Sequence, residues 1–254
     1  MIIYGSVHTD TEVELLRSNN LGIEVFANPE TLDNPSEYHK FLAERIKGMV
    51  GVSMHGTIFD MAFASGDPLI VEVVKKRFIQ CVQAAALHGI NHLIFHSSYR
   101  AFYNGRGRIG EWYIKASIDF WKDFEHNIPD GMTVLLENVE DDDPEVFAEI
   151  IHGIDSPKIA CCFDAAHAHV YSSWQLDDWI RILGGKIKHV HLSDNDGKSD
   201  LHLPLGQGNL PLASVIQGIM KHASSEVPFT LECDIPLSID WLVGAALCRQ
   251  LSRR

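Results

Sequence analysis

Two rhythms of apolar residues run through this sequence. Short runs rich in β-branched and aliphatic side chains predict strands at residues 2–8, 21–27, 50–55, 92–97, 133–139, 159–167, 187–194 and 228–234. Longer stretches with helical spacing lie between them, for example residues 69–88, 110–126 and 238–251. Eight strands, each followed by a helix, predict a parallel sheet covered by helices. Local punctuation agrees. Asp143-Pro144 reads as an N-cap followed by a proline in the first helical turn, and Gly66-Asp67-Pro68 opens the third helix in the same way. Gly89 closes that helix before the fourth strand, and the last helix runs to the C-terminus. The expected fold is therefore α/β, a single (βα)8 TIM barrel over residues 1–254. A doubly wound open sheet is the runner-up. It calls for a Gly-rich turn after the first strand, where this chain has His8-Thr9-Asp10-Thr11.

Composition narrows the class. The chain has 254 residues, of which 46% are hydrophobic, enough for one barrel with a large core. No apolar run reaches the length of a membrane span, and Met1-Ile2-Ile3-Tyr4-Gly5 lacks the basic start of a signal peptide. A cytoplasmic protein is expected. The five cysteines, Cys81, Cys161, Cys162, Cys233 and Cys248, form no framework and no CxxC, so reduced, buried thiols are expected rather than a thiolate metal site. The formal charge of −13 argues against nucleic acid as a partner, although a local basic patch can override net charge. Trp112, Trp174 and Trp179 fall in helical segments and read as packing residues.

The candidate chemistry sits where strands end. In a (βα)8 barrel the active site is built at the C-terminal strand ends and the loops after them. Six residues occur there singly: His55, His96, Glu137, Asp164, His191 and Glu232. Glu137 in Val-Leu-Leu-Glu-Asn and Glu232 in Phe-Thr-Leu-Glu-Cys are acids inside apolar runs, and each needs a cation, a hydrogen-bond network or a proton. Three more belong to local pairs. His167 lies three residues beyond Asp164, and Asp200-Leu-His202 aims both polar side chains the same way if the backbone is extended. That pair sits in a long loop, residues 194–210, of the kind that is usually functional. Nitrogen and oxygen ligands without thiolates suit Zn or Mn, with Fe or Co also open, and one to three ions. His189 shares a strand face with His191 one layer deeper and reads as a core residue or a support for a ligand.

These residues and their flanks carry a resemblance. Cys162-Phe-Asp-Ala-Ala-His167, His189-Val-His-Leu-Ser-Asp194, Asp200-Leu-His-Leu-Pro-Leu-Gly-Gln-Gly208 and Leu231-Glu-Cys233 resemble the xylose isomerase-like TIM-barrel superfamily, which includes sugar isomerases and epimerases and the endonuclease IV group. In the sugar enzymes, the resemblance implies one divalent metal on Glu137, Asp164, His191 and Glu232, with the two glutamates moving a proton from opposite faces of the substrate. In endonuclease IV it implies three zinc ions. His55, His96 and Glu137 would hold the first, Glu137, Asp164, His191 and Glu232 the second, and His167, Asp200 and His202 the third.

Two reactions and one non-enzymatic role stay open. The favoured one is isomerisation or epimerisation of a small sugar or sugar phosphate through an enediolate, with Glu137 and Glu232 as proton-transfer residues. Glu24, Tyr99, Arg100 and Lys198 are candidate substrate contacts, with a core salt bridge as the other reading of Glu24. Some ketose epimerases carry an arginine just past the strand-seven histidine. Here Asp194-Asn-Asp-Gly-Lys198 stands instead, and Lys198 is a weak substitute. The alternative is hydrolysis of phosphodiesters at abasic sites in DNA, which the full nine-residue set favours and the acidic run Glu140-Asp-Asp-Asp143 at the expected mouth opposes. The segment from Tyr99 to Arg108 holds three arginines and three aromatics that suit a phosphate, a base or a sugar, or form an ordinary solvated loop. A non-catalytic metal- or sugar-binding barrel is the third reading. Gly206-x-Gly208 is weak evidence for phosphate binding and otherwise a turn. No membrane partner is expected, and a homo-oligomer stays open.

Overall fold

Eight short parallel strands pair in chain order, and the last pairs with the first to close the sheet. They are β1 (Ile3–Ser6), β2 (Gly22–Phe26), β3 (Val52–His55), β4 (His92–His96), β5 (Thr133–Glu137), β6 (Ile159–Asp164), β7 (Ile187–Leu192) and β8 (Phe229–Leu231). The structure is a computed structural model that describes residues 2–100, 102 and 107–245. Among the described residues the α-helices outside the sheet are α1 (Asp10–Ser18), α2 (Pro29–Asp33), α3 (Pro35–Ile46), α4 (Pro68–Leu87), α5 (Arg108–Phe124), α6 (Pro144–Ile154), α7 (Ala165–Tyr171), α8 (Leu176–Leu183), α9 (Leu212–His222) and α10 (Ile235–Gly244). Closure leaves no unpaired sheet edge, so short strands suffice.

The helix starts expected from sequence are capped by their own aspartates. Asp67 accepts from the Leu69 amide at 2.9 Å and Asp143 from the Glu145 amide at 2.8 Å, each just before a proline. Gly89 takes the left-handed conformation, φ +67°, that ends the helix before β4. Alternate strand residues face opposite ways and divide the core into two layers. The outward layer packs under the helices, where Phe95 of β4 stacks on Phe78 of α4 with ring centroids 3.9 Å apart and Trp121 of α5 closes the cluster. Inside the barrel a small cluster of Ile94, Leu135, Ala160 and Cys162 lies on the inward face of β4, β5 and β6 and fills the space beneath the strand-end positions of His96, Glu137 and Asp164.

Three details depart from the sequence reading. The expected strand at 159–167 stops at Asp164, and α7 begins at once, because the Asp164 side chain accepts from the His167 amide at 2.7 Å and caps the helix. A second helix, α3 or α8, follows the first one after β2 and after β6. Trp174 lies in a bend rather than a helix, whereas Trp112 and Trp179 are helical as expected, and only Trp179 is buried. The last helix starts at Ile235 and is described to Gly244; the rest of its expected span, with Cys248, lies outside the described residues. The other four cysteines are unpaired thiols, three of them buried.

The long loop after β7 is tied down by one side chain. Buried Asp194 accepts backbone N–H bonds from Gly206 and Gly208 on Oδ2, at 2.9 and 3.0 Å, and from Asn195 and Leu210 on Oδ1, at 2.9 and 3.0 Å. The amides of Gly206-x-Gly208 are thus committed to an internal carboxylate, in keeping with the turn reading of that motif. A Cβ at Gly208 would meet the Asn195 carbonyl at 2.2 Å, so the position admits only glycine. Asp194→Ala removes the acceptor for four buried or half-buried amides and is expected to cost about 3 kcal/mol, lowering Tm by roughly 6–12 °C in a thermal melt. Gly208→Ala should destabilise in the same direction, and wild-type melting of both variants would remove Asp194 from this role.

Candidate metal centre

The candidate ligands His55, His96, Glu137, Asp164, His167, His191 and Glu232 come from strand ends or the residues just beyond them, and Asp200 and His202 are brought over them by the Asp194-anchored loop. The sheet register sets His96 beside Glu137 and Asp164 beside His191. The result is three adjoining groups, and within each the donor atoms lie within 4.8 Å of one another: His55, His96 and Glu137; Glu137, Asp164, His191 and Glu232; and His167, Asp200 and His202. Glu137 belongs to two of them. Its Oε2 lies 3.0 Å from His55 Nε2 and 3.6 Å from His96 Nε2, and its Oε1 lies 3.2 Å from His191 Nδ1 and 3.4 Å from His167 Nδ1. Glu232 Oε1 is 3.3 Å from His191 Nδ1. Asp200 Oδ2 is 3.3 Å from Nε2 of both His167 and His202. The last convergence does not come from an extended backbone, because His202 has φ +46°. Its ring is aimed by the Nδ1–H bond to the Glu232 carbonyl, at 2.7 Å.

The imidazoles are oriented from behind. His55 Nδ1–H donates to the Gly56 carbonyl and His167 Nδ1–H to the Asn138 carbonyl, each at 3.0 Å. With His202, that makes three rings whose Nδ1 is spent on a backbone oxygen and whose Nε2 faces an acidic group, the arrangement that fixes ligand tautomers around a metal. Asp164 Oδ2, Asp200 Oδ1 and both His191 nitrogens are buried with no hydrogen-bond partner of good geometry. Orphaned oxygen and nitrogen lone pairs converging on one region fit a divalent cation. Clusters of His, Glu and Asp suited to metal coordination are thus present.

Charge balance points the same way. Burial pushes the Glu232 carboxyl up to about 7, and repulsion from Glu137, Asp164 and Glu24 adds to it against the pull of His191. Burial, with Glu137 nearby, also raises Asp164. Glu137 goes the other way: burial opposes its charge, but His191 and His167 outweigh it and hold the carboxyl well below its ordinary range. Burial holds His96 down, to about 3, as a neutral ring. His202 is raised to about 9 by its bond to Asp200. Without a cation, then, some acids of the cluster hold protons and some histidines are charged.

The groups open into a cavity of about 590 Å³ lined by His55, His96, Glu137, His167, Asp200, His202 and Glu232 on the polar side. Ser6, His8, Glu12, Phe26, Ile58, Phe59, Val139, Cys233 and Asp234 complete the wall. Sequence reasoning does not single these out. His8 ends the first apolar run and carries the same signal as the other strand-end histidines, whereas Phe59, 81% exposed at the rim, carries none. Asn138 is missed as well. It clamps β5 to β6 by donating to the Asp164 carbonyl at 2.8 Å and accepting from the Asp164 amide at 2.9 Å.

The four candidate substrate contacts do not line this cavity. Glu24 lies fully buried beneath it, with its carboxylate on Ser53, Thr230 and His191. The buried Tyr99 donates its hydroxyl to Asp142 at 2.8 Å, and Arg100 pairs with Glu140 at 2.9 Å. Lys198 is exposed on the loop after β7. Of the segment from Tyr99 to Arg108, Ala101, Tyr103, Asn104, Gly105 and Arg106 lie outside the described residues, so its phosphate- or base-gripping reading does too. The acidic run is also consumed locally: Glu140 and Asp142 have the partners just named, Asp141 is buried on Ser97 at 2.5 Å, and Asp143 caps α6. It is not the uncompensated acidic rim expected from sequence.

Residues 12–243 match the family model described as xylose isomerase-like TIM barrel. The chain belongs to that family. An uncharacterised protein of Methanocaldococcus jannaschii is 35% identical over 79 residues, 31% of this chain and 27% of that protein. Fructoselysine 3-epimerase of Escherichia coli O157:H7 is 27% identical over 96 residues, 35% of this chain and 34% of the enzyme. The matched stretches thus span about a third or less of these relatives. A Thermus thermophilus protein whose crystals were soaked with zinc chloride superposes with a TM-score of 0.78, covering 97% of this chain and 98% of that one at 23% identity, and shares the fold.

Metal binding by this family member should be proton-linked. A carboxyl whose folded value is raised, as Glu232's is to about 7 from an ordinary 4.5, adds stability that is complete below pH 4.5 and lost as the pH rises through 7. A cation held by Glu137, Asp164, His191 and Glu232 would replace that proton. The stabilisation given by added zinc or manganese should therefore grow from about pH 5 to about pH 8, and the apparent Kd should fall by roughly tenfold per pH unit over part of that range. Melting curves with and without metal, and chelator competition, check this; a metal-induced Tm shift that shrinks with rising pH would contradict it.

Proposed function

We propose that this barrel is a divalent-metal-dependent isomerase or epimerase of a small sugar or sugar phosphate, working by proton transfer through an enediolate. One observation carries the reading: two carboxylates, Glu137 and Glu232, reach one cavity floor from β5 and from the end of β8, sharing Asp164 and His191 between them. The partial match to fructoselysine 3-epimerase supports the substrate class. Glu137, Asp164, His191 and Glu232 would hold a Zn or Mn ion. When bound, such an ion polarises a carbonyl and its neighbouring hydroxyl and acidifies the C–H between them. The chain's own residues do the rest. Glu137 is pinned by four imidazoles and is the less mobile of the pair. Glu232 has a single imidazole partner, and its side chain is 12% exposed to the cavity, so it is the better placed to take a proton from one face of a sugar. Glu137 serves the opposite face. Ser6, His8 and His202 offer hydrogen bonds to hydroxyls at the wall, and Phe26, Ile58 and Phe59 exclude water from one side.

A specific observation favours a second reading, zinc-dependent phosphodiester hydrolysis of the endonuclease IV kind: the three groups adjoin, and Glu137 is common to two of them. Elemental analysis of tag-free protein separates the readings. One exchangeable ion supports the sugar enzyme, and about three tightly held zinc ions, or cleavage of abasic-site DNA at low enzyme concentration, supports the hydrolase. For the sugar enzyme, Glu232→Gln and Glu137→Gln should each lower kcat on a ketose or ketosamine substrate by about 10³-fold or more with the fold intact. Turnover near the wild-type rate in either variant would sink the two-glutamate mechanism.

A further inference from the structure

The metal-facing histidine of β7 differs from the other ligands in what stands behind it. His55, His167 and His202 lean on backbone carbonyls. His191 leans on a carboxylate. Its Nδ1 faces Glu137 and Glu232 at 3.2 and 3.3 Å, and its Nε2 lies 3.1 Å from Glu24 Oε1. Both His191 and Glu24 are completely buried. We infer that Glu24 is a positioning residue of the metal centre, its carboxylate facing the Nε2 edge of His191 from beneath at ion-pair distance rather than through an aligned hydrogen bond, and so leaving the Nδ1 lone pair for the ion. This rests on the reading that Glu137, Asp164, His191 and Glu232 bind a divalent cation.

The proton count in the layer below supports the assignment. Glu24 Oε2 accepts from the Ser53 hydroxyl at 2.8 Å and the Thr230 hydroxyl at 3.0 Å. Thr230 Oγ1 in turn accepts from His189 Nε2–H at 2.7 Å, which is why its own hydroxyl proton goes to Glu24. The ring on β7 two residues before His191 thus sets a threonine, and the threonine sets the glutamate. With Oε2 occupied twice, Oε1 is left facing His191, and neither it nor His191 Nε2 has an aligned hydrogen-bond partner. Both hydroxyls donate to Oε2, and the ring edge that faces Oε1 is His191 Nε2. A carboxylate in this position fixes ring orientation and makes the far nitrogen a stronger ligand.

The same atoms argue against the other use of this cluster. Donor atoms of Glu24, His189 and His191 also lie within 4.8 Å of one another. His189 Nε2, however, carries the proton it gives to Thr230, and Glu24 Oε2 is taken by two hydroxyls. The cluster supports an ion above it; it does not offer three lone pairs of its own.

Chelator competition on the full chain, with zinc and manganese as probes, tests the assignment. Glu24→Gln and Glu24→Ala should bind the ion at the His191 group about 10–100-fold more weakly than wild type. Thr230→Val, which keeps the β-branched shape and removes one hydroxyl from Oε2, should weaken binding by a smaller factor, and it keeps the inference testable should the Glu24 variants fail to fold. In zinc-loaded protein with ¹⁵N-labelled histidine, the Nε2–H resonance absent from His191→Asn should shift in Glu24→Gln. Unchanged Kd and an unshifted resonance, with only a lowered Tm, would make Glu24 a structural residue and overturn the inference. A wild-type chain that binds neither metal would overturn the metal-centre reading itself, a result distinguishable from the first.

Discussion

A carboxylate buried at the end of β5 sets the terms for the mouth of this barrel. Glu137 is 1% exposed, and an uncompensated charge there costs several kcal/mol. Four imidazoles from β3, β4, α7 and β7 surround its two oxygens. Neutral imidazoles cannot balance it alone, because Asp164, Glu232 and Asp200 crowd the same space. Some balance comes from protons, seen in the raised values of Glu232 and His202. The remainder is an excess of negative charge that a divalent cation fits. The inward-facing layer beneath, Ile94, Leu135, Ala160 and Cys162, offers no hydration to share the cost, so the compensation has to come from the mouth itself.

That constraint explains what can be read from sequence and what cannot. An acid closing an apolar run is costly unless something pairs with it, so Glu137, Asp164 and Glu232 stand out from their neighbours alone, and the barrel rhythm places them on one face. Strand order then sets two of the groups, and α7 with the loop after β7 supplies the third. His167 falls in the expected region for a different reason: the strand does not extend to it, because Asp164 uses one carboxylate oxygen as a helix cap and leaves the other for the cluster. Gly206-x-Gly208 stays ambiguous in sequence because its anion is internal, and a sequence does not reveal that Asp194, twelve residues earlier, already fills the nest. Glu24 is half legible. Its burial is visible in Leu-Gly-Ile-Glu-Val-Phe, but its partners come from β3, β7 and β8, contacts with no local trace.

Net charge proves a poor guide to the mouth for the same reason. The chain carries −13, yet the acidic run after β5 is divided among a salt bridge, a tyrosine hydroxyl, a buried serine contact and a helix cap. Acids committed to such partners do not act as a uniform repulsive rim, and from the segment just after Glu137 it is the apolar Val139 that lines the cavity. Charge outside the mouth affects how ligands approach. The partners of individual carboxylates decide what binds inside.

The two glutamates of the floor are therefore not interchangeable, although the sequence presents them alike. Glu137 has imidazoles on both carboxylate oxygens, and moving it would unbalance two ligand groups at once. Glu232 follows the last residue of the short strand β8, meets one ring, and has its backbone carbonyl rather than its carboxylate engaged by His202. A fixed carboxylate between groups is suited to holding charge in place, and a loosely held one at the cavity wall is suited to carrying a proton. The difference between the two comes from which strand each residue ends and how many histidines reach it.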